Sequence, residues 1–116
     1  MVSLVAEANA TIVGHVAFSP VETGDGSIGV GLGPLAVSES FRRQGVGAQL
    51  VEAGLTTSKT AGFGWAVVLG DPSYYSRFGF RAAKTFGLSD EFGGGSAFQV
   101  IELAVGTLPT GTGLVR

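Results

Sequence analysis

The chain has 116 residues, enough for one domain with its own core and too few for two. Hydrophobic residues make up 45% and charged residues 14%, which excludes a disordered chain, and the net charge of −2 speaks against nucleic acid as the main partner. Cysteine is absent and histidine occurs once, so disulfides, thiolate metal sites, a cysteine nucleophile and a histidine-rich metal cluster are excluded. No apolar run approaches ~18 residues and no charged-then-apolar leader opens the chain, so the expectation is a soluble cytoplasmic protein. The 20 glycines show no collagen-like period and belong to turns and loops.

In chain order, Val2–Ala8 and Thr11–Pro20 are rich in Val, Ile and Phe with Asn9 between them, which predicts an antiparallel hairpin. Val21–Ser27 is a loop with Asp25-Gly26 as its turn signal. Ile28–Val37 is an extended apolar run interrupted by Pro34, so this strand should bend or part from a neighbour there. After the loop "SESFRR", a helix is predicted from Gly45 to Thr60. Val46, Gly47, Leu50, Val51, Gly54 and Leu55 lie on one face, Gln49, Glu52, Thr56 and Lys59 on the other, and Gly62 marks the stop. Phe63–Gly70 reads as a strand buried on both faces, which makes strand, helix and strand a parallel βαβ unit. Pro72 opens a short helix that Gly79 ends. "RAAKTFGL" reads as a short strand, "EFGGGSA" as a flexible loop and Phe98–Val105 as a last strand. The Gly/Thr-rich tail Gly106–Arg116 is expected to fray.

The βαβ unit sets Gly45 and Gly47 at a helix entrance. There the first N–H groups lack intrahelical partners, the helix dipole adds positive charge, and a residue without Cβ lets an anion approach the backbone. Arg42 and Arg43 add charge-assisted donors. The phosphate loop G-x-x-x-x-G-K-[ST] is absent, and G-x-G-x-x-G fails because Leu50 occupies its third glycine position. The pattern that matches is [RQ]-x-x-G-x-[GA], over Arg42, Arg43, Gln44, Gly45, Val46 and Gly47.

Three pieces in order, "IVGHVAFSPV", "GPLAVSESFRRQGVGAQLVEAGL" and "WAVVLGDPSYYSRFGF", resemble the GNAT superfamily of acetyl-CoA-dependent N-acetyltransferases, in its branch of small bacterial members. The resemblance implies an α/β (mixed α+β) fold: a mostly antiparallel mixed sheet around the parallel βαβ unit, in one domain. It further implies that the family's first strand and two helices, which precede the hairpin and form part of the acceptor wall, are missing here. Backbone N–H groups from Arg43 through Gln44, Gly45, Val46 and Gly47 to Ala48 would hold the coenzyme A pyrophosphate. The pantetheine arm would pair like a strand with Leu35, Ala36 and Val37, where an N–H would polarise the thioester carbonyl.

The implied reaction is direct attack of a primary amine on acetyl-CoA in a ternary complex, without a metal. The family pattern puts the acid that protonates the thiolate at Tyr75, four residues before Gly79-Phe80, with Tyr74 in reserve. Glu22 and Asp25 are candidates for the base, as is a water relay, whereas His15 reads as structural. Arg77 and Arg81 read as surface charges within reach of a phosphate, and Phe63 and Trp65 as core residues. The implied partners are acetyl-CoA and an unidentified amine, with neither nucleic acid nor membrane. Self-association is expected where the absent segments would have covered the sheet. The competing reading is a non-catalytic coenzyme A-binding module.

Overall fold

In the computed structural model, residues 1–23, 26–90, 95–108 and 113–115 are described. Strands β1 (Val2–Ala8) and β2 (Thr11–Glu22) form the predicted hairpin. Its two-residue turn, Asn9 and Ala10, has both φ angles positive at 52° and 61°. That geometry matches the twist of the flanking strands. Strand β3 (Ile28–Val37) lies antiparallel to β2, and β4 (Trp65–Leu69) lies parallel to β3. Beyond β4 come β7 (Phe98–Glu102) and the two-residue β5 (Arg81–Ala82), giving a six-stranded sheet in the order β1-β2-β3-β4-β7-β5.

Helix α1 (Val46–Thr60) links the parallel pair and lies on one sheet face. Its buried residues Leu50, Val51, Gly54 and Leu55 are those its 3.6-residue spacing selects, and Ser58 extends the stripe. They pack on Val16, Phe18, Val30, Leu32, Ala66 and Val68. The opposite face carries a smaller cluster of Trp65, Val67, Ala83, Leu88, Phe98 and Val100. Trp65 is held there by its indole N–H, which donates to Ser27 Oγ at 3.0 Å.

Two stretches differ from the sequence-based expectation. "RAAKTFGL" is not one strand: β5 ends at Ala82, a 3-10 turn spans Ala83–Phe86, and β6 (Leu88–Asp90) follows Gly87 at φ 75°. In the tail, the described residues 106–108 and 113–115 include several with partners. Thr107 Oγ1 donates to the Gly64 carbonyl at 2.6 Å, Leu108 N donates to Glu102 Oε2 at 3.0 Å, and β8 (Gly113–Val115) pairs in parallel with β6. Backbone groups need such partners, and those in Gly64 and β6 are far away in sequence. Asp25, and most of the loop expected at "EFGGGSA", lie outside the described residues.

Candidate active site

Strand β3 parts from β4 at the predicted place. The parallel ladder runs from Val30↔Ala66 to Leu32↔Val68, while the pairing with β2 continues to Val37. Between Leu32 and Leu35, β3 spends two residues, Gly33 and Pro34, against the single Ala17 of β2. This is a bulge, where a residue without an N–H is tolerated. Beyond it, Ser38 N donates to Val13 O at 2.7 Å. Because bonded and non-bonded pairs alternate along an antiparallel ladder, Ala36 also faces β2, whereas the N–H groups of Leu35 and Val37 face the opening that β4 has left. The Val37 carbonyl on that side accepts from Arg42 Nε at 3.1 Å.

This open edge meets the start of α1. Arg43 and Gly45 both have positive φ, at 65° and 82°, and Gly45 is the N-cap. Left-handed residues in such a turn direct successive N–H groups to one side, the geometry of an anion-binding concavity. Arg43 adopts this conformation without being glycine, which is uncommon and concentrates at binding sites. A cavity of about 440 Å³ results. Its walls are Leu35, Ala36 and Val37 from β3, Phe41, Arg42 and Arg43 from the loop, Gly45 to Ala48 from α1, and Tyr74 and Arg77 beyond β4. Its lining includes three arginines and no carboxylate among the described residues. Another hollow, about 530 Å³ near β5 and β7, carries both Arg81 and Glu102 and no helix entrance.

Nine of the ten residues expected to hold a cofactor line the cavity. The tenth, Gln44, turns its side chain away, its Nε2 donating to the Ser40 carbonyl at 3.1 Å, and so braces the loop from outside. The two tyrosines separate. Tyr74 lines the cavity, and its hydroxyl lies 3.1 Å from where a Cβ on Gly47 would stand. Tyr75 is not among the lining residues. Its ring rests on Gly70 just past β4 and meets Phe80 edge-on, with centroids 5.8 Å apart. The half-buried Tyr75 phenol is pushed above its ordinary range by burial first and by neighbouring Tyr74 second.

Both tyrosines belong to α2 (Pro72–Tyr75), which has two supports that the sequence reading missed. Asp71 caps it: the carboxylate accepts from Ser73 N at 2.9 Å and Ser73 Oγ at 2.8 Å, and these bonds hold its pKa below the ordinary value. The D-P-S spacing is a legible cap signal. Gln99, fully buried on β7, donates from Nε2 to the carbonyls of Gly70 and Ala97 at 3.2 and 3.3 Å, fixing the exit of β4 under Tyr75. A lone glutamine in the apolar run "FQVIEL" was its only signal.

The remaining candidates lie as follows. Glu22 pairs with Ile28, at the far end of β3 from Leu35. Seven residues at ~3.3 Å each put it roughly 20 Å from the open edge, too far to accept a proton there. His15 is registered directly against Ala36, with its Nε2 3.0 Å from Ser3 Oγ on β1. Arg77 lies on the cavity, whereas Arg81 lies at the other hollow. Trp65 is buried and Phe63 packs against the core, as expected.

An open strand edge running into a helix entrance is the arrangement that the sequence resemblance implied, and comparison with known proteins decides the family. The acetyltransferase (GNAT) domain family matches residues 2–82. The chain belongs to the GNAT family. It is 47% identical over 107 residues to the "Uncharacterized N-acetyltransferase YhbS" of Escherichia coli K12, covering 90% of this chain and 64% of that protein. This GNAT chain therefore spans just under two thirds of the length of the curated relatives it matches. Among solved structures it resembles Escherichia coli YhbS in complex with CoA (TM-score 0.91, 46% identity, 97% of this chain and 64% of that one). It also resembles a GNAT family acetyltransferase from Brucella melitensis in complex with acetyl-CoA (TM-score 0.73, 39% identity, 94% of this chain and 62% of that one).

Proposed function

We propose that this chain binds acetyl-CoA in the 440 Å³ cavity and transfers the acetyl group to a primary amine. The observation that carries the reading is the meeting of the free Leu35–Val37 edge with the α1 entrance in one arginine-rimmed cavity. The α1 end and the Arg43–Ala48 N–H groups suit a diphosphate. The unpaired edge suits the amide groups of pantetheine, which add to β3 as another strand would. The CoA and acetyl-CoA held by its structural relatives support the same choice.

In the reaction the amine nitrogen attacks the acetyl carbonyl carbon, a Leu35 or Val37 N–H stabilises the oxyanion, and the C–S bond breaks. The amine gives up one proton to a water relay that passes it to solvent, and the departing thiolate takes a separate one. Tyr75 supplies the second proton from a phenol that burial keeps protonated. The role rests on the family pattern, which puts the acid four residues before Gly79-Phe80; its ring lies beside Gly70 at the end of β4. Tyr74 is the rival acid because it lines the cavity directly.

A thiol-release assay with acetyl-CoA against amines, polyamines and peptides, run beside calorimetry with CoA, tests the reading. Turnover with binding is expected. Binding without turnover would instead support the coenzyme A-binding module. Absence of CoA binding would remove both.

A further inference from the structure

We propose that Arg77 binds a phosphate group of the coenzyme A nucleotide and that Tyr74 is the residue that positions it; this rests on the cavity being the CoA site. No glycine-loop motif includes either residue, and the sequence alone read Arg77 and Arg81 alike as surface charges within reach of a phosphate, without choosing between them. In the structure its guanidinium carbon lies 4.5 Å from the centroid of the Tyr74 ring, and its Nε donates to the Tyr74 carbonyl at 3.0 Å. Ring and carbonyl together hold a long side chain in one orientation. This lowers the entropy lost on binding an anion, and the guanidinium keeps four further N–H donors. Among the described residues no carboxylate pairs with Arg77, and both Arg77 and Tyr74 line the cavity.

The ring also fixes where the charge stands. With its hydroxyl beside Gly47, Tyr74 spans from α2 to the entrance of α1, so Arg77 is presented at the anion-binding end rather than at the β3 edge. Arg42 likewise spends its Nε on a backbone carbonyl, that of Val37 on the β3 edge, but among the described residues no ring contact holds it. Coenzyme A carries a diphosphate and a separate 3′-phosphate, more anionic oxygens than one helix entrance satisfies. Arg77 supplies the additional donors for either group.

Calorimetry on the full chain with CoA and with 3′-dephospho-CoA tests this. Arg77→Met should raise the Kd for CoA about tenfold or more, the scale of a lost charge-assisted contact, and flatten its dependence on salt. Arg77→Lys should recover part of the affinity. A loss seen with CoA but not with dephospho-CoA assigns the 3′-phosphate, and a loss with both assigns the diphosphate; either supports the proposal. Tyr74→Phe, which keeps ring and carbonyl, should retain the Arg77 contribution, whereas Tyr74→Ala should lose it. Unchanged CoA affinity and salt slope in a folded Arg77→Met overturns the proposal while leaving the CoA site standing. Should Arg77→Met not fold, the same outcome in Arg77→Gln overturns it. A wild-type chain that binds neither nucleotide overturns the proposal and the reading beneath it together.

Discussion

Gly47 carries the sharpest single-residue test of the cavity. Its missing Cβ leaves room for the Tyr74 hydroxyl and Val37, and the space in front of it is where an anion would sit. Gly47→Glu is expected to abolish CoA binding, read by calorimetry, because both the side chain and its charge enter that space. Unchanged affinity in the folded variant would disprove the assignment of this loop. Tyr75→Phe is expected to lower kcat by ~10²–10⁴ with little change in KM for acetyl-CoA, since the ring remains. If Tyr74→Phe shows that loss and Tyr75→Phe does not, the acid is its neighbour. The raised Tyr75 pKa also sets a pH expectation. The folded chain keeps the phenolic proton longer than the unfolded chain does. The contribution to stability is therefore complete below the ordinary phenol value of ~10 and is lost as pH rises through the raised value. Thermal denaturation across that alkaline window should show the decline in the wild type and a weaker one in Tyr75→Phe. Arg43 to Ala48 were legible because a helix entrance and its glycines are neighbours in sequence. Gln99 was not, and Tyr74 and Arg77 appeared only as a reserve acid and a surface charge, because each acts across a gap closed only by folding.

Helix α1 shows the same division one level up. Its bounds and buried face follow from periodicity and from glycines at both ends, and the structure keeps them to within a residue. Gly54 is different: the Phe18 ring of β2 occupies the place its Cβ would take, so the helix lies close against the sheet at that point. Helix propensity alone favours Gly54→Ala by roughly 1 kcal/mol. Overpacking costs about 1–3 kcal/mol, and the ring is fixed in the core, so the net expectation is destabilisation, measured as a lower urea midpoint. A midpoint that rises would mean that Phe18 can move aside. The strand misread at "RAAKTFGL" failed for a related reason. A mixed run of eight residues is equally compatible with one strand or with two short ones around a turn. The partners β7 and β8 decide which forms.

At the scale of the whole molecule, β1 lies at one end of the sheet order, with no strand on its outer side among the described residues. Val5 and Ile12 are 50% and 59% exposed on this hairpin. An uncovered strand edge with apolar side chains pairs readily with another chain. Self-association of the 116-residue chain, concentration-dependent in sedimentation velocity, is the expected outcome, and Val5→Lys should weaken it. A monodisperse monomer over the full concentration range would contradict this.

The sequence by itself determined the strand–helix–strand unit, the break in β3 at Pro34 and the glycine entrance to α1. Each rests on residues close together along the chain, where periodicity, missing side chains and missing N–H groups act locally. Only the tertiary structure decided which tyrosine lines the cavity, that Arg77 joins it, that Glu22 is too far away and that the glycine-rich tail forms β8. Those outcomes depend on register and packing between segments distant in sequence, and no local preference encodes them.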